Sequence, residues 1–106
     1  MRFVALEKLI NLHDGYRRRI KIDQLDVLVI QEKGRLAIIQ SQCPHRHYPL
    51  TDADIEAHRI FCPVHGYGFD LETGQPIEAN CAALTVWEAV YEGNEVGIVV
   101  GELDPT

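Results

Sequence analysis

Four side chains carry the clearest potential for chemistry. Cys43-Pro44-His45 sets a thiol and an imidazole two residues apart, and Cys62-Pro63-Val64-His65 sets another pair three apart, with sixteen residues between the two segments. Each segment offers one sulfur and one nitrogen donor. A tetrahedral zinc site usually draws a like pair from each arm, whereas here the donor types are interleaved. Interleaving suits a two-metal rhomb in which Cys43 and Cys62 hold one metal and His45 and His65 the other, so that each loop touches both. A Cys₂His₂ zinc module with no redox role is the competing reading of the same residues. Pro44 and Pro63 fix backbone angles beside each thiol. Gly66 is expected to bring its N–H close to the centre. His47 stands outside the Cys-x-His register, which leaves His45 as the ligand.

The elements that must position these residues read as short strands with turn signals between them. Phe3 to Leu6 opens the series, and His13-Asp14-Gly15 is a turn. Arg17 to Ile22 and Leu25 to Gln31 form a pair, and only the start of the second has a polar face. Lys33-Gly34 is a two-residue hairpin turn, followed by Leu36 to Ile39, expected to be buried on both faces. Two loops rich in Cys, His and Pro flank Arg59-Ile60-Phe61. Phe69 to Gly74 runs as a strand into a glycine turn. Leu84 to Val90 and Val96 to Val100 close the chain as two strands joined at Glu92-Gly93-Asn94. A short helix over Leu6 to Leu12 is the weaker alternative to strand and loop. The 106 residues match one domain of roughly 100–150 residues, and 46% hydrophobic with 25% charged content is that of an ordinary globular chain. The fold class is all-β, a small sandwich or barrel.

From Gln42 to Pro76 the chain resembles the Rieske-type [2Fe-2S] ferredoxins. The residues that carry the resemblance are Cys43-Pro44-His45-Arg46, Pro49-Leu50, Cys62-Pro63-Val64-His65-Gly66-Tyr67, Phe69-Asp70-Leu71 and Thr73-Gly74. It implies a β-sandwich base with an inserted cluster-binding subdomain at about 42–76, and a [2Fe-2S] cluster held by Cys43, His45, Cys62 and His65. It also implies a one-electron carrier, not an enzyme by itself, working transiently between a flavin-dependent ferredoxin reductase and a terminal oxygenase. A Rieske-like small subunit of a larger oxidoreductase, such as NAD(P)H nitrite reductase, is the alternative. High-potential relatives carry two further cysteines that tie the loops together; Tyr48 and Val64 occupy those positions here. Those relatives also have a Ser and a Tyr that donate to cluster sulfurs. Tyr67 and Phe69 stand there: Phe69 cannot donate, and Tyr67 is too long to replace a serine hydroxyl. The expected potential is therefore near the low end of a range of roughly −150 to +300 mV. Many relatives have glycine where His47 stands, so a different loop path is expected around it.

Charge narrows the partners. Residues 1–50 hold nine Lys or Arg against five Asp or Glu, and residues 51–106 hold one against eleven. The net charge of −6 argues against nucleic acid and anionic membranes. It suits cationic docking partners drawn by Asp52, Asp54 and Glu56 to an apolar rim of Pro49, Leu50, Val64 and Tyr67. No apolar run follows Arg2 and none reaches the ~20 residues of a membrane span. A cytoplasmic, monomeric protein is expected. Cys81 reads as a small semi-buried residue near a covering loop, and His13 and His58 as solvated. Arg17-Arg18-Arg19 reads as an exposed edge that discourages pairing, and Trp87 as core or sheet surface.

Overall fold

The structure, a computed structural model, describes residues 2–44, 47–64, 66–77 and 82–100. Among these the chain is all-β. Its strands are β1 (Arg2–Lys8), β2 (Tyr16–Ile22), β3 (Leu25–Glu32), β4 (Arg35–Gln40), β5 (Asp54–Glu56), β6 (Arg59–Phe61), β7 (Gly68–Asp70), β8 (Val86–Trp87), β9 (Val90–Glu92) and β10 (Glu95–Val100). The only helical element among the described residues is a single 3-10 turn at Leu9–Asn11. The strands make three sheets, ordered β1-β10-β9, β2-β3-β4-β8 and β5-β6-β7, with every strand pair antiparallel.

The four-stranded sheet is the middle layer, which explains why β3 and β4 lack a polar face. Side chains alternate across a strand. Leu28, Ile30, Ala37 and Ile39 belong to the core shared with Cys43, Cys62, Leu50 and Phe69. Their neighbours Val27, Val29 and Ile38 belong to the other core, with Val4 and Ile98 of the β1-β10-β9 sheet. One face of the middle sheet therefore supports the metal-binding loops and the other closes the base.

Two expectations are corrected. Leu84 to Val90 is not one strand: Val86 and Trp87 pair with β4, Val90 and Tyr91 pair with β10, and Glu88-Ala89 carries the chain between sheets. Both ends bury apolar side chains, so the pattern reads as continuous. Asp54–Glu56, read as loop, is a strand whose three residues are too few to announce a period.

A bulge in β1 between Ala5 and Glu7 re-aims the Glu7 side chain. Its carboxylate accepts from the Lys8 N–H at 2.7 Å, Asn11 Nδ2 at 2.9 Å and the Tyr16 hydroxyl at 2.5 Å, with Arg18 at 3.6 Å. These bonds, the one from Asn11 foremost, hold the Glu7 carboxyl down at about 2. Burial, with the Glu7 bond, pushes the Tyr16 phenol up to about 12. The carboxylate thus straps the outer sheet to the middle one.

Candidate metal centre

The two loops that contain the cysteines share one backbone frame. In the first, the Cys43 N–H donates to the Tyr48 carbonyl at 2.8 Å and the His47 N–H to the Cys43 carbonyl at 2.6 Å. In the second, the Cys62 N–H donates to the Tyr67 carbonyl at 2.8 Å and the Gly66 N–H to the Cys62 carbonyl at 2.8 Å. Both loops thus bond Cys to the residue five ahead and take a bond from the residue four ahead. Each has proline directly after Cys, where a missing N–H costs nothing to the frame. The necks are ladder pairs, Gln42 with Pro49 and Phe61 with Gly68.

The fourth residue of each frame is left-handed: His47 at φ 58° and Gly66 at φ 73°. His47 adopts the conformation that glycine supplies in the second loop. Gly66 donates its N–H to the Cys62 carbonyl, and a Cβ there would meet nothing within 4 Å. Backbone angle, not space, is the demand at this position.

Cys43 and Cys62 are 0% and 1% exposed and lie in one apolar core with Leu50, Ile60 and Phe69. Their partners in the expected donor set, His45 and His65, lie outside the described residues, as does Cys81. The structure therefore places the two thiols in one apolar core, each in its own hydrogen-bonded backbone frame. Leu50, expected on the rim, is fully buried instead, while Tyr48, Pro49, Pro63 and Val64 are exposed and Tyr67 is half-buried.

Several further residues frame the site. Asp70 Oδ1 accepts the Glu72 N–H at 2.7 Å and the Thr73 N–H at 3.0 Å, and these bonds, led by Thr73, lower the Asp70 carboxyl below its usual range. The turn they form places Gly74 at φ 80°, with its carbonyl accepting the Leu84 N–H at 2.7 Å. A Cβ on Gly74 would collide with the Leu84 carbonyl oxygen. His58, expected to be solvated, is half-buried in the β5–β6 turn, and its carbonyl accepts the Leu71 N–H at 3.0 Å. Burial, then the nearby Arg35, lowers its imidazole pKa. The Arg17-Arg18-Arg19 run does lie on an edge strand, but each side chain has a partner in the fold. Arg17 donates to the Thr51 and Ala53 carbonyls, Arg18 faces Glu7, and Arg19 makes a two-bonded pair with Asp26. Only the alternation along β2 could have separated Arg17 and Arg19 from Arg18.

A family model described as the Rieske [2Fe-2S] domain matches residues 3–88. Human apoptosis-inducing factor 3 is 30% identical over 64 residues, covering 60% of this chain and 11% of that protein. The chain thus spans about a tenth of the length of the first curated relatives it matches. The ferredoxin component of the Xanthobacter autotrophicus alkene monooxygenase system is 26% identical over 87 residues, covering 81% of this chain and 71% of the relative. Among solved structures, the ferredoxin of carbazole 1,9a-dioxygenase from Nocardioides aromaticivorans superposes with a TM-score of 0.77 at 25% identity, covering 91% of this chain and 95% of that one. A structure described as a nitrite reductase NADPH small subunit gives 0.75 at 20% identity, with 94% and 100% covered, a likeness of fold.

The residues present fit such a cluster. Two thiols buried in apolar surroundings are costly as thiolates unless a metal neutralises them, and soft sulfur donors suit iron–sulfur centres as they suit zinc and Cu(I). Two matching hydrogen-bonded frames hold these thiols from opposite arms. When bound, the cluster supplies one-electron redox chemistry; the protein shapes, buries and presents it. With the family model running through both loops and the strands beneath them, the chain belongs to the Rieske [2Fe-2S] domain family.

Proposed function

We propose that the protein is a one-electron carrier of a multicomponent oxygenase system, taking electrons from a flavin-dependent reductase and delivering them to a terminal oxygenase. In this reading Cys43 and Cys62 hold one iron and His45 and His65 the other, within a cluster-binding subdomain at about 42–76. The observation that carries the reading is the contrast within the two loops. The cysteines are buried, while Tyr48 (45% exposed) and Val64 (43%), with Pro49 and Pro63, face solvent beside them. A small apolar tip next to the redox centre suits a transient electron-transfer encounter. Asp52, Asp54 and Glu56 are exposed nearby in sequence, which suits a cationic partner. Relatives that cover most of this chain and of themselves include ferredoxins of oxygenase systems. No described helix is long and apolar enough to cross a membrane, and a cytoplasmic, monomeric carrier is the reading adopted.

Anaerobic mixing tests this. NADH should reduce the protein only when a flavin reductase is present, and a Rieske-type terminal oxygenase should reoxidise it. Elution from native extract within a large permanent complex would instead favour a subunit role.

A further inference from the structure

We propose that Arg17 is a positioning residue for the first ligand loop, bracketing it against the base so that the cluster is retained. The inference rests on Cys43 being a cluster ligand.

The argument begins with strand parity. Along β2, Arg18 lies on the face that meets the outer sheet and Glu7, whereas Arg17 and Arg19 lie on the face toward the metal-binding loops. Their cross-strand partners agree: Arg17 pairs with Ile30 and Arg19 with Leu28, both in the core that contains the cysteines. Arg17 reaches thirty-four and thirty-six residues ahead. Its Nη1 donates to the Thr51 carbonyl at 2.9 Å and to the Ala53 carbonyl at 2.6 Å. These carbonyls belong to the turn that follows the loop, closed by the Ala53 N–H to Leu50 carbonyl bond at 3.1 Å.

The other end of the loop is held from the same face. The Ser41 N–H donates to the Asp26 carbonyl at 3.2 Å, and the Leu50 N–H returns to the Ser41 carbonyl at 2.9 Å. Ser41 is 2% exposed, the single buried polar residue among the described residues, and its N–H ties it to Asp26, whose carboxylate Arg19 grips. Ser41 and Leu50 thus pair just below the Gln42–Pro49 neck of the Cys43 loop. Arg19, through Asp26, steadies its entry, and Arg17 steadies its exit. Ala53 is itself 2% exposed, so removing the guanidinium strands an acceptor that water reaches poorly. The second loop is built into the β6–β7 ladder.

The test uses the cluster-loaded full chain. Loss of the visible chromophore to an iron chelator is timed for wild type, Arg17→Gln, Arg17→Lys and Arg18→Gln, alongside visible circular dichroism and thermal unfolding. Arg17→Gln should lose the centre about tenfold faster, as expected for one charge-assisted bond to a buried carbonyl, and should alter the visible dichroism. Arg17→Lys, which restores a donor, should recover most of the retention and the dichroism. Arg18→Gln removes the same charge and should match wild type within about twofold, because Arg18 is largely exposed and stands 3.6 Å from a Glu7 carboxylate that three shorter bonds already hold. Equal retention and identical dichroism in the Arg17→Gln and Arg18→Gln proteins would overturn the proposal. If Arg17→Gln does not fold, Arg17→Lys decides: retention no better than that of a loop-disrupted protein overturns the bracket. A Cys43→Ser protein that kept an unchanged centre would overturn the ligand assignment instead.

Discussion

His47 and Gly66 occupy the same place in two matching loops, and exchanging their chemistry gives a quantitative test. Both are left-handed, at φ 58° and 73°, and both donate to the carbonyl of the cysteine four residues back. An L-residue in this conformation costs roughly 1–2 kcal/mol, while glycine costs roughly 0.5–1 kcal/mol more than alanine in chain entropy. His47→Gly therefore stabilises by about 0.5–1 kcal/mol, since the exposed imidazole surrenders little packing. Gly66→Ala destabilises by about the same amount, because a Cβ there meets no neighbour and only the backbone angle matters. At roughly 4–8 °C per kcal/mol for a domain of this size, the two variants should move Tm by about 2–8 °C in opposite directions. The double variant should return close to wild type. Differential scanning calorimetry of the cluster-loaded protein reads all three. The shared frame is refuted if His47→Gly lowers Tm, or if Gly66→Ala leaves it unchanged.

Gly74→Ala combines a left-handed angle with a collision at the Leu84 carbonyl, so it should cost more than about 2 kcal/mol; an ordinary Tm for this variant would count against the turn as drawn. Glu7→Gln loses the charge from three accepted bonds and should cost about 2–3 kcal/mol at pH 7. Because the folded Glu7 pKa is depressed, its stabilisation is full above the unfolded value of 4.5 and fades as pH falls toward about 2. Urea unfolding of the two proteins should therefore converge over that window, and a deficit that persisted below it would contradict the strap. The rate of electron delivery to a terminal oxygenase should fall by on the order of tenfold from low to high salt, with a flat dependence excluding steering by the acidic half. With no donor available from Phe69, potentiometry should give a midpoint below about +100 mV.

The metal loops were legible in the sequence because their chemistry is local: donor types, proline and glycine at fixed offsets specify a loop almost without the rest of the fold. Strands with strong runs, such as Leu25 to Gln31 and Leu36 to Ile39, were equally plain, and their missing polar faces follow from a place between two layers. What stayed hidden depends on contacts between distant segments. Nothing beside Arg17 in the sequence marks Thr51 and Ala53 as its acceptors. Leu50 follows exposed Pro49, yet it turns into the core because Ser41 holds its N–H. His58 carries no cue for its half-buried turn, where it and Ala57 adopt left-handed angles of 60° and 54°. The switch of sheet at Glu88-Ala89 is likewise set by where β4 and β10 lie.

The most direct measurement is EPR of the dithionite-reduced protein, prepared with natural and with ¹⁵N-labelled histidine, alongside iron, zinc and acid-labile sulfide analysis. The account predicts a [2Fe-2S] stoichiometry and a reduced-state signal with resolved coupling to histidine nitrogen, lost together with the visible colour in Cys43→Ser and Cys62→Ser. A colourless protein that binds one zinc per chain, or a signal with no histidine coupling, would contradict it.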